Sequence, residues 1–178
     1  IFNKRLGTDI HLEQLKAQYD AVLLAIGAYE HIDLSIPGAE LKQVVQGTEF
    51  LDNLEKKRPV KVGKHVVIIG GGNVAIDAAR SLWRLGASVT VVYRRSKDAM
   101  PANKLEIEEA EAEGIKFVFF AAPLSIKADR KQSVRALEIM EMEGGTFDTS
   151  GRRRPVETGK TRDIECDMIV IAAGEKVD

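Results

Sequence analysis

The stretch "HVVIIGGGNVAIDAARSLWRLG" at 65–86 constrains the fold of this chain more than any other. It opens with a continuous apolar run at 66–69, which is typical of a strand buried on both faces. Three glycines follow, and a helix then ends at Gly86. The apolar side of that helix consists of Ala75, Ile76, Ala79, Leu82, Trp83 and Leu85. Residues 89–92 predict a second strand, and a strand, helix and strand in about 30 residues predict a right-handed crossover in a parallel sheet.

The glycines themselves fit the pattern G-x-G-x-x-G/A, with Gly70, Gly72 and Ala75 at the three fixed positions. The first glycine permits a tight turn, the second leaves no side chain between backbone and pyrophosphate, and Ala75 lets the helix pack closely on the strand. Free N–H groups at the helix start would face the anion. The surrounding strands and helix therefore predict dinucleotide binding, with a purely structural turn or another nucleotide-like ligand as the alternative.

The end of the second strand indicates which dinucleotide is bound. In NAD-binding proteins an acidic residue about 20 positions beyond the glycines accepts a hydrogen bond from the ribose 2′-hydroxyl. This chain has Tyr93, Arg94 and Arg95 there. A carboxylate would repel a 2′-phosphate, whereas a guanidinium can hold it through two parallel charge-assisted hydrogen bonds. The pair predicts NADP(H) as the cofactor, and the alternative is that both arginines are simply solvated.

The rest of the chain predicts the same α/β class. Further strands are predicted at 19–28, 115–122 and 166–174, and helices within 40–57 and 102–113. Residues 123–165 are strand-like but interrupted by polar residues, with turn formers at 129–131 and 143–145, which predicts a small antiparallel β-meander with one exposed face. We therefore expect a Rossmann-like parallel sheet with flanking helices and this meander.

Composition excludes several function classes. The 26 Lys and Arg residues against 27 Asp and Glu give a net charge of −1, so no global field favours nucleic acid or an anionic membrane. Because no apolar run approaches the ~20 residues of a spanning helix, we expect a soluble, cytoplasmic protein. The single cysteine, Cys166, excludes an internal disulfide or dithiol motif, so redox chemistry must come from a cofactor. The three histidines lack ligand-like spacing, and we predict no metal site.

Several stretches, in order along nearly the whole chain, resemble one family. They are "DAVLLAIGA", "VVIIGGGNVAIDAARSLWRLGASVTVVYRRS", "MPANKLEIEEAEAEGI", "SGRRRP" and "ECDMIVIAAGEKVD". The family is the NADPH-binding domain of the glutamate synthase small subunit and related two-dinucleotide-binding flavoprotein oxidoreductases, including the reductase portion of dihydropyrimidine dehydrogenase. The resemblance implies the NAD(P)H domain of that flavoprotein fold. The start at Ile1 and the end soon after an apolar run suggest a truncated chain.

The resemblance also implies a domain organisation and a set of site residues. Residues 1–30 would be a remnant of a truncated FAD domain with a linker, and 31–178 the NADP(H)-binding domain. The similar stretches 20–27 and 167–174 would mark where the chain enters and leaves the second domain. Matched by position, the glycine turn would bind pyrophosphate and the arginine pair the 2′-phosphate. The implied cofactor-binding residues are Gly70, Gly71, Gly72, Asn73, Val74, Ala75, Arg94, Arg95, Ala173 and Gly174.

In the family, hydride passes from NADPH to FAD, and electrons continue to iron–sulfur clusters and a partner catalytic subunit. The resemblance thus implies as partners the missing FAD domain and an iron–sulfur and catalytic subunit. This chain has no second G-x-G-x-x-G, so FAD is expected in the intact parent but not here, and no side chain here needs to act as acid or base. The alternative function is a non-catalytic NAD(P)H-sensing module. A methyltransferase would want an acid where the arginines stand, and a thioredoxin reductase would need cysteines within 40–65.

Overall fold

The computed structural model describes residues 2–28, 30–149 and 151–177. They form two compact units, one of residues up to Glu30 together with 176–177, the other of His31–Glu175. The helices are α1 (Leu12–Gln18), α2 (Gly47–Glu55), α3 (Asn73–Arg84) and α4 (Lys104–Ala112). The strands are β1 (Glu30–His31), β2 (Val44–Gln46), β3 (His65–Ile69), β4 (Ser88–Tyr93), β5 (Lys116–Phe119), β6 (Ala121–Ala128), β7 (Val134–Phe147), β8 (Arg153–Glu165), β9 (Met168–Ile171) and β10 (Glu175–Lys176). The assignment of residues 1–30 to an FAD domain remains a prediction.

The second unit is built on a five-stranded parallel sheet with the order β2-β9-β3-β4-β5. In this sheet Ile68 of β3 is paired with Val91 of β4 on one side and with Val170 of β9 on the other. At the start of β9, the two carboxylate oxygens of Asp167 accept hydrogen bonds from the backbone N–H groups of Lys64 and His65, both at 3.0 Å. These bonds fix where β9 begins relative to β3.

Both faces of the parallel sheet are covered, which is why its strands are continuously apolar. On one face, alternate residues such as Ile68 and Val170 pack against the buried side of α3 and against α4. On the other face, Ile69 and Ile169 pack against residues of the meander such as Leu137. The strand–helix–strand unit and its parallel pairing confirm the α/β prediction.

The meander is a three-stranded antiparallel sheet with the order β6-β7-β8, as predicted. Two details differ from the prediction. The run 115–122 is divided between β5 and β6, because Phe120 adopts a left-handed backbone conformation (φ +52°) that redirects the chain into the second sheet. Residues 143–145 form no turn but lie inside β7, where a Cβ on Gly145 would meet Val156 Cγ2 at 2.6 Å. Glycine here permits close approach of the neighbouring strand rather than chain reversal.

One other prediction about elements was wrong, and the helix predicted within 40–57 is present as α2 but is shorter than that range. The stretch 19–28 forms no strand, and the Leu23 side chain is 91% exposed. A strand that is apolar on both faces needs neighbours to supply its backbone partners, and no described strand pairs with this stretch. Within 40–57, Val44 and Val45 belong to β2 instead of a helix, because they pair with Ile169 and Val170 of β9. In the described part of the chain, no helix is both long and apolar enough to cross a membrane.

Candidate dinucleotide-binding site

The glycine turn lies at the carboxyl end of β3, between the ends of β4 and β9. Gly70 has φ +144°, a region that side chains rarely adopt, and a Cβ there would overlap the carbonyl oxygen of Ala172. Its N–H donates to the Val92 carbonyl at 3.1 Å, and the Ala172 N–H donates to Ile69 at 2.8 Å. The turn is therefore held on both sides by neighbouring strands, and only glycine fits at its first position.

Gly71 is covered by an aromatic ring. A Cβ on Gly71 would lie 2.6 Å from two ring carbons of Tyr93, the residue at the end of β4. The Tyr93 hydroxyl donates to the Ala99 carbonyl at 2.8 Å. The Gly71 carbonyl accepts from the Ala102 N–H at 3.2 Å. Residues 99–102 thus fix the outer side of the turn, a contribution that the sequence analysis missed.

Gly72, the second glycine of the G-x-G-x-x-G/A pattern, faces open space. A Cβ on Gly72 would meet no heavy atom within 4 Å, and its φ of −89° is accessible to any residue. Within the described ranges, the N–H groups of Gly72, Asn73 and Val74 donate to no backbone or side-chain acceptor. Unsatisfied N–H groups at the start of the 12-residue helix α3, beside an open concavity, can donate hydrogen bonds to an anion such as a pyrophosphate.

The first turn of α3 is anchored on both of its sides. Ala75 is fully buried, and its N–H donates to the Gly72 carbonyl at 3.0 Å. The side-chain oxygen of Asn73 accepts from the Asn103 N–H at 3.0 Å, which links α3 to the cap of α4. The exposed position of Asn73 and the buried position of Ala75 give the helix start one fixed orientation.

Arg94 and Arg95 follow β4, as predicted, but the structure gives them different surroundings. Arg94 is exposed. The Arg95 guanidinium forms an ion pair with Asp148 at 3.1 Å, and the two side chains are only 13% and 15% exposed. The Arg95 Nε is buried without a hydrogen-bond partner in the described part of the chain. Lys97 is held by Glu111 at 2.6 Å.

A cavity of about 190 Å³ lies beside the two arginines. Its lining includes Arg94, Arg95, Ser96, Asp98, Arg152 and Arg153. The cavity therefore collects arginines from the end of β4 and from the β7–β8 hairpin.

A second cavity, of about 150 Å³, lies on the β9 side of the glycine turn. It is lined by the start of α3, the end of β9 and residues preceding or opening α2. Its lining comprises His31, Gln46, Thr48, Gly72, Asn73, Val74, Ile171, Ala172, Gly174 and Glu175. Gly174 thus joins the predicted turn residues, whereas Ala173 is exposed and does not line the cavity.

No sequence pattern predicted the polar residues of this second cavity. The Thr48 hydroxyl and His31 Nδ1 lie 3.2 Å apart, in a hydrogen bond between residues 17 positions apart in the chain. Glu175 reaches the same cavity from beyond β9. No local pattern joins these residues, and only the strand order brings them together.

Cys166 lies outside both cavities. Its side chain is buried, and burial raises the pKa of the thiol to about 12. At neutral pH it is a small core residue. Residues 2–28, 30–149 and 151–177 contain no group of three or more His, Cys, Asp or Glu side chains placed to bind a metal ion.

Comparison with known proteins agrees with this geometry. The pyridine nucleotide-disulphide oxidoreductase family matches residues 4–178. The chain is 39% identical over 183 residues to the NADPH-Fe(3+) oxidoreductase subunit beta of Geobacter sulfurreducens, covering 100% of this chain and 27% of that protein. It is 34% identical over 181 residues to the glutamate synthase [NADPH] small chain of Halomonas elongata, covering 95% of this chain and 38% of that protein. The predicted resemblance is confirmed, and the chain spans less than half of these relatives.

Solved structures show the same fold. The thioredoxin reductase of Lactococcus lactis superposes with a TM-score of 0.62 at 24% identity, covering 83% of this chain and 42% of that one. The thioredoxin reductase of T. acidophilum gives a TM-score of 0.59 at 23% identity, covering 81% and 41%. At this identity the likeness concerns the fold alone, which is that of the two-dinucleotide-binding flavoproteins. The glycine turn, the parallel sheet with its meander and the match over residues 4–178 together place the chain in the pyridine nucleotide-disulphide oxidoreductase family.

Proposed function

We propose that this chain is the NADPH-binding module of a flavin-dependent oxidoreductase and delivers hydride from NADPH to FAD. One observation carries the proposal: the glycine turn is open at Gly72, with free N–H groups, and the next strand ends in arginines. The relatives named above are an NADPH-Fe(3+) oxidoreductase subunit and a glutamate synthase small chain, which supports this reading.

The pyrophosphate would bind at the start of α3. Gly70 and Gly71 have no room for a side chain, and Gly72 leaves a space that a Cβ would partly fill. The N–H groups of Gly72, Asn73 and Val74 would donate to the phosphate oxygens, and the helix dipole would favour the negative charge. The turn, held by the strands on both sides, would therefore accept a pyrophosphate in its present conformation.

The 2′-phosphate would bind at the end of β4. Arg94 is exposed at that edge and would make the direct contact, while Arg95, whose charge is compensated by Asp148, would offer its remaining N–H donors beside it. A hydrogen bond to a charged group contributes about 1.5–3 kcal/mol. Loss of Arg94 would then weaken binding by about one to two decades.

The nicotinamide would bind on the other side of the glycine turn. In a doubly wound sheet the dinucleotide lies across the carboxyl ends of the strands, with its adenosine toward the second strand of the motif. Here β4 lies on one side of β3 and β9 on the other. The cavity at Gly174 lies on the β9 side, and Thr48 and Glu175 offer polar atoms to a carboxamide.

The residues at the start of α3 and the end of β4 would hold NADPH, which would supply a hydride to FAD. No side chain of the described residues needs to move a proton in that step, and this chain's part is to bind and orient the nucleotide. The sequence contains no second G-x-G-x-x-G, so we place FAD on another part of the parent protein. The partners proposed are that FAD domain and an iron–sulfur and catalytic subunit.

Calorimetric titration with NADPH and with NADH tests the proposal. We expect NADPH to bind at least about tenfold more tightly, with a preference that falls as salt rises and is reduced by about one to two decades in Arg94→Ala. The purified chain should be colourless. Equal binding of both nucleotides would refute the 2′-phosphate site, binding of neither would refute the module as a cofactor-binding unit, and a yellow preparation with stoichiometric flavin would contradict the placement of FAD.

A further inference from the structure

We propose that the β7–β8 hairpin completes the 2′-phosphate site, with Arg153 as a specificity-determining residue. The hairpin belongs to the antiparallel meander, and Asp148 in its turn lies 53 positions beyond Arg95. The inference rests on the proposed function, because it assigns a further contact to the same phosphate.

The first supporting observation is the shared cavity. Arg94 and Arg95 line it from the end of β4, and Arg152 and Arg153 from the hairpin. Asp98 is the one acidic residue in the described lining. Asp148 adds a second carboxylate, since it pairs with Arg95 behind the lining, so four arginines stand against two carboxylates, and this excess of positive charge favours a doubly charged anion. The volume of about 190 Å³ admits a phosphate with part of its ribose, though not a whole nucleotide.

The second observation is the ion pair between Arg95 and Asp148. It links the end of β4 to the hairpin at 3.1 Å, and both side chains are largely buried. A second carboxylate oxygen of Asp148 accepts the Arg152 N–H at 3.0 Å, and the Asp148 N–H donates to the Arg152 carbonyl at 2.7 Å. Asp148 thus orders the hairpin turn and fastens it beside β4.

The third observation is the packing of the Arg153 side chain against β7. The guanidinium lies over the Phe147 ring, 5.0 Å from its centroid. Its stem crosses β7 at Gly144, where a Cβ would come within 3.0 Å of Arg153 Cδ. Glycine at this position leaves the stem room, and the ring contact limits the rotamers of a long side chain. Arg153 is therefore directed along the hairpin toward the cavity with less freedom than a solvated arginine has.

Arg154 provides a matched control. It carries the same charge one position further along β8, but it does not line the cavity. Successive side chains of a strand point to opposite faces, so Arg153 and Arg154 differ in direction although they are adjacent in the chain. If positive charge in general favours NADPH, removing either arginine should weaken NADPH binding. If Arg153 contacts the phosphate directly, only the loss of Arg153 should do so.

The experiment compares the dissociation constants of NADPH and NADH for the wild-type chain and for Arg94→Ala, Arg153→Ala and Arg154→Ala. We expect Arg153→Ala to weaken NADPH about tenfold, by the loss of one charge-assisted contact, and to leave NADH unchanged. Arg154→Ala should change neither constant. Because NADH lacks the 2′-phosphate, a merely structural role of Arg153 would weaken both nucleotides and leave their ratio constant.

The outcomes separate this inference from the proposed function. If the wild-type chain prefers NADPH and Arg94→Ala reduces the preference, but Arg153→Ala retains it in full, only the hairpin contact is refuted. Equal effects of Arg153→Ala and Arg154→Ala would also refute it, in favour of general charge. If the wild-type chain shows no preference, the 2′-phosphate site itself is refuted, and the hairpin contact with it.

Discussion

Replacing Gly70 by alanine is expected to destabilise the folded chain by several kcal/mol. An alanine at φ +144° carries a conformational strain of about 1–3 kcal/mol. The new Cβ would also overlap the carbonyl oxygen of Ala172. Ala172 cannot easily move away, because its N–H donates to the Ile69 carbonyl, and such overpacking costs about 1–3 kcal/mol. The combined loss of about 2–6 kcal/mol is a large part of the ~5–15 kcal/mol that stabilises a typical domain.

The matched variant is Gly72→Ala, two positions further along the same turn. Its Cβ meets nothing within 4 Å, and φ −89° suits alanine. Alanine is a poorer N-cap than glycine by several tenths of a kcal/mol, and the stiffer unfolded chain offsets this by about 0.4–1 kcal/mol. Stability should therefore stay within about 0.5 kcal/mol. The methyl group would nevertheless occupy the space in front of the free N–H groups, so NADPH binding should be lost.

Urea unfolding followed by circular dichroism, together with NADPH titration, tests both variants. The expected pattern is an unfolding midpoint lowered strongly in Gly70→Ala and unchanged in Gly72→Ala, with NADPH binding impaired in both. If Gly70→Ala were as stable as the wild type, the close approach of β9 to the turn would be wrong. If Gly72→Ala bound NADPH normally, the pyrophosphate would have to bind elsewhere.

Two further predictions concern titratable groups. The buried Cys166 thiol, with its pKa raised from 9.0 to about 12, should resist labelling in the folded chain near pH 8 and react on unfolding. The pKa of this thiol is higher in the folded chain than in the unfolded chain, so the free energy of unfolding should fall as the pH rises from about 9 to 12. The fall should be smaller in Cys166→Ala. An equal fall in this variant would contradict the burial argument. The hydrogen bond from Arg80, with Arg84 also nearby, lowers the pKa of the Glu113 carboxyl below 4.5. Its contribution to stability is therefore present above that value and lost on acidification, so Glu113→Gln should lose less stability than the wild type between about pH 7 and pH 3 in urea unfolding.

The sequence predicted the parts of the site that depend on local chain geometry. Gly70, Gly72 and Ala75 each have a role set by their neighbours within a few positions, so the turn and the helix after it could be recognised from spacing alone. The position of the arginines after β4 followed in the same way. The nucleotide contacts assigned to these residues remain proposals.

What the sequence could not predict depends on partners distant in the chain. Arg95 pairs with Asp148, 53 positions away, and no pattern in either segment indicates it. The stretch 19–28 is apolar enough for a buried strand, yet strand formation needs hydrogen-bond partners on a neighbouring strand, and none is present among the described strands. Gly144 and Gly145 read as a turn because glycine is common in turns, whereas here close packing between β7 and β8 explains them.

The place of β9 in the parallel sheet has a consequence for the order in which the chain folds. Strands β3, β4 and β5 are consecutive in sequence and in space, so they can pair soon after synthesis. Strand β2 is made before them but, among the described strands, pairs in that sheet with β9 alone, and the contact between Asp167 and Lys64 at the start of β9 spans 103 positions. Bringing such distant segments together is entropically costly and slows folding. On the ribosome, β2 must therefore wait for β9 to emerge before it can pair, and in a nascent chain that ends before β9 the parallel sheet can consist only of β3, β4 and β5.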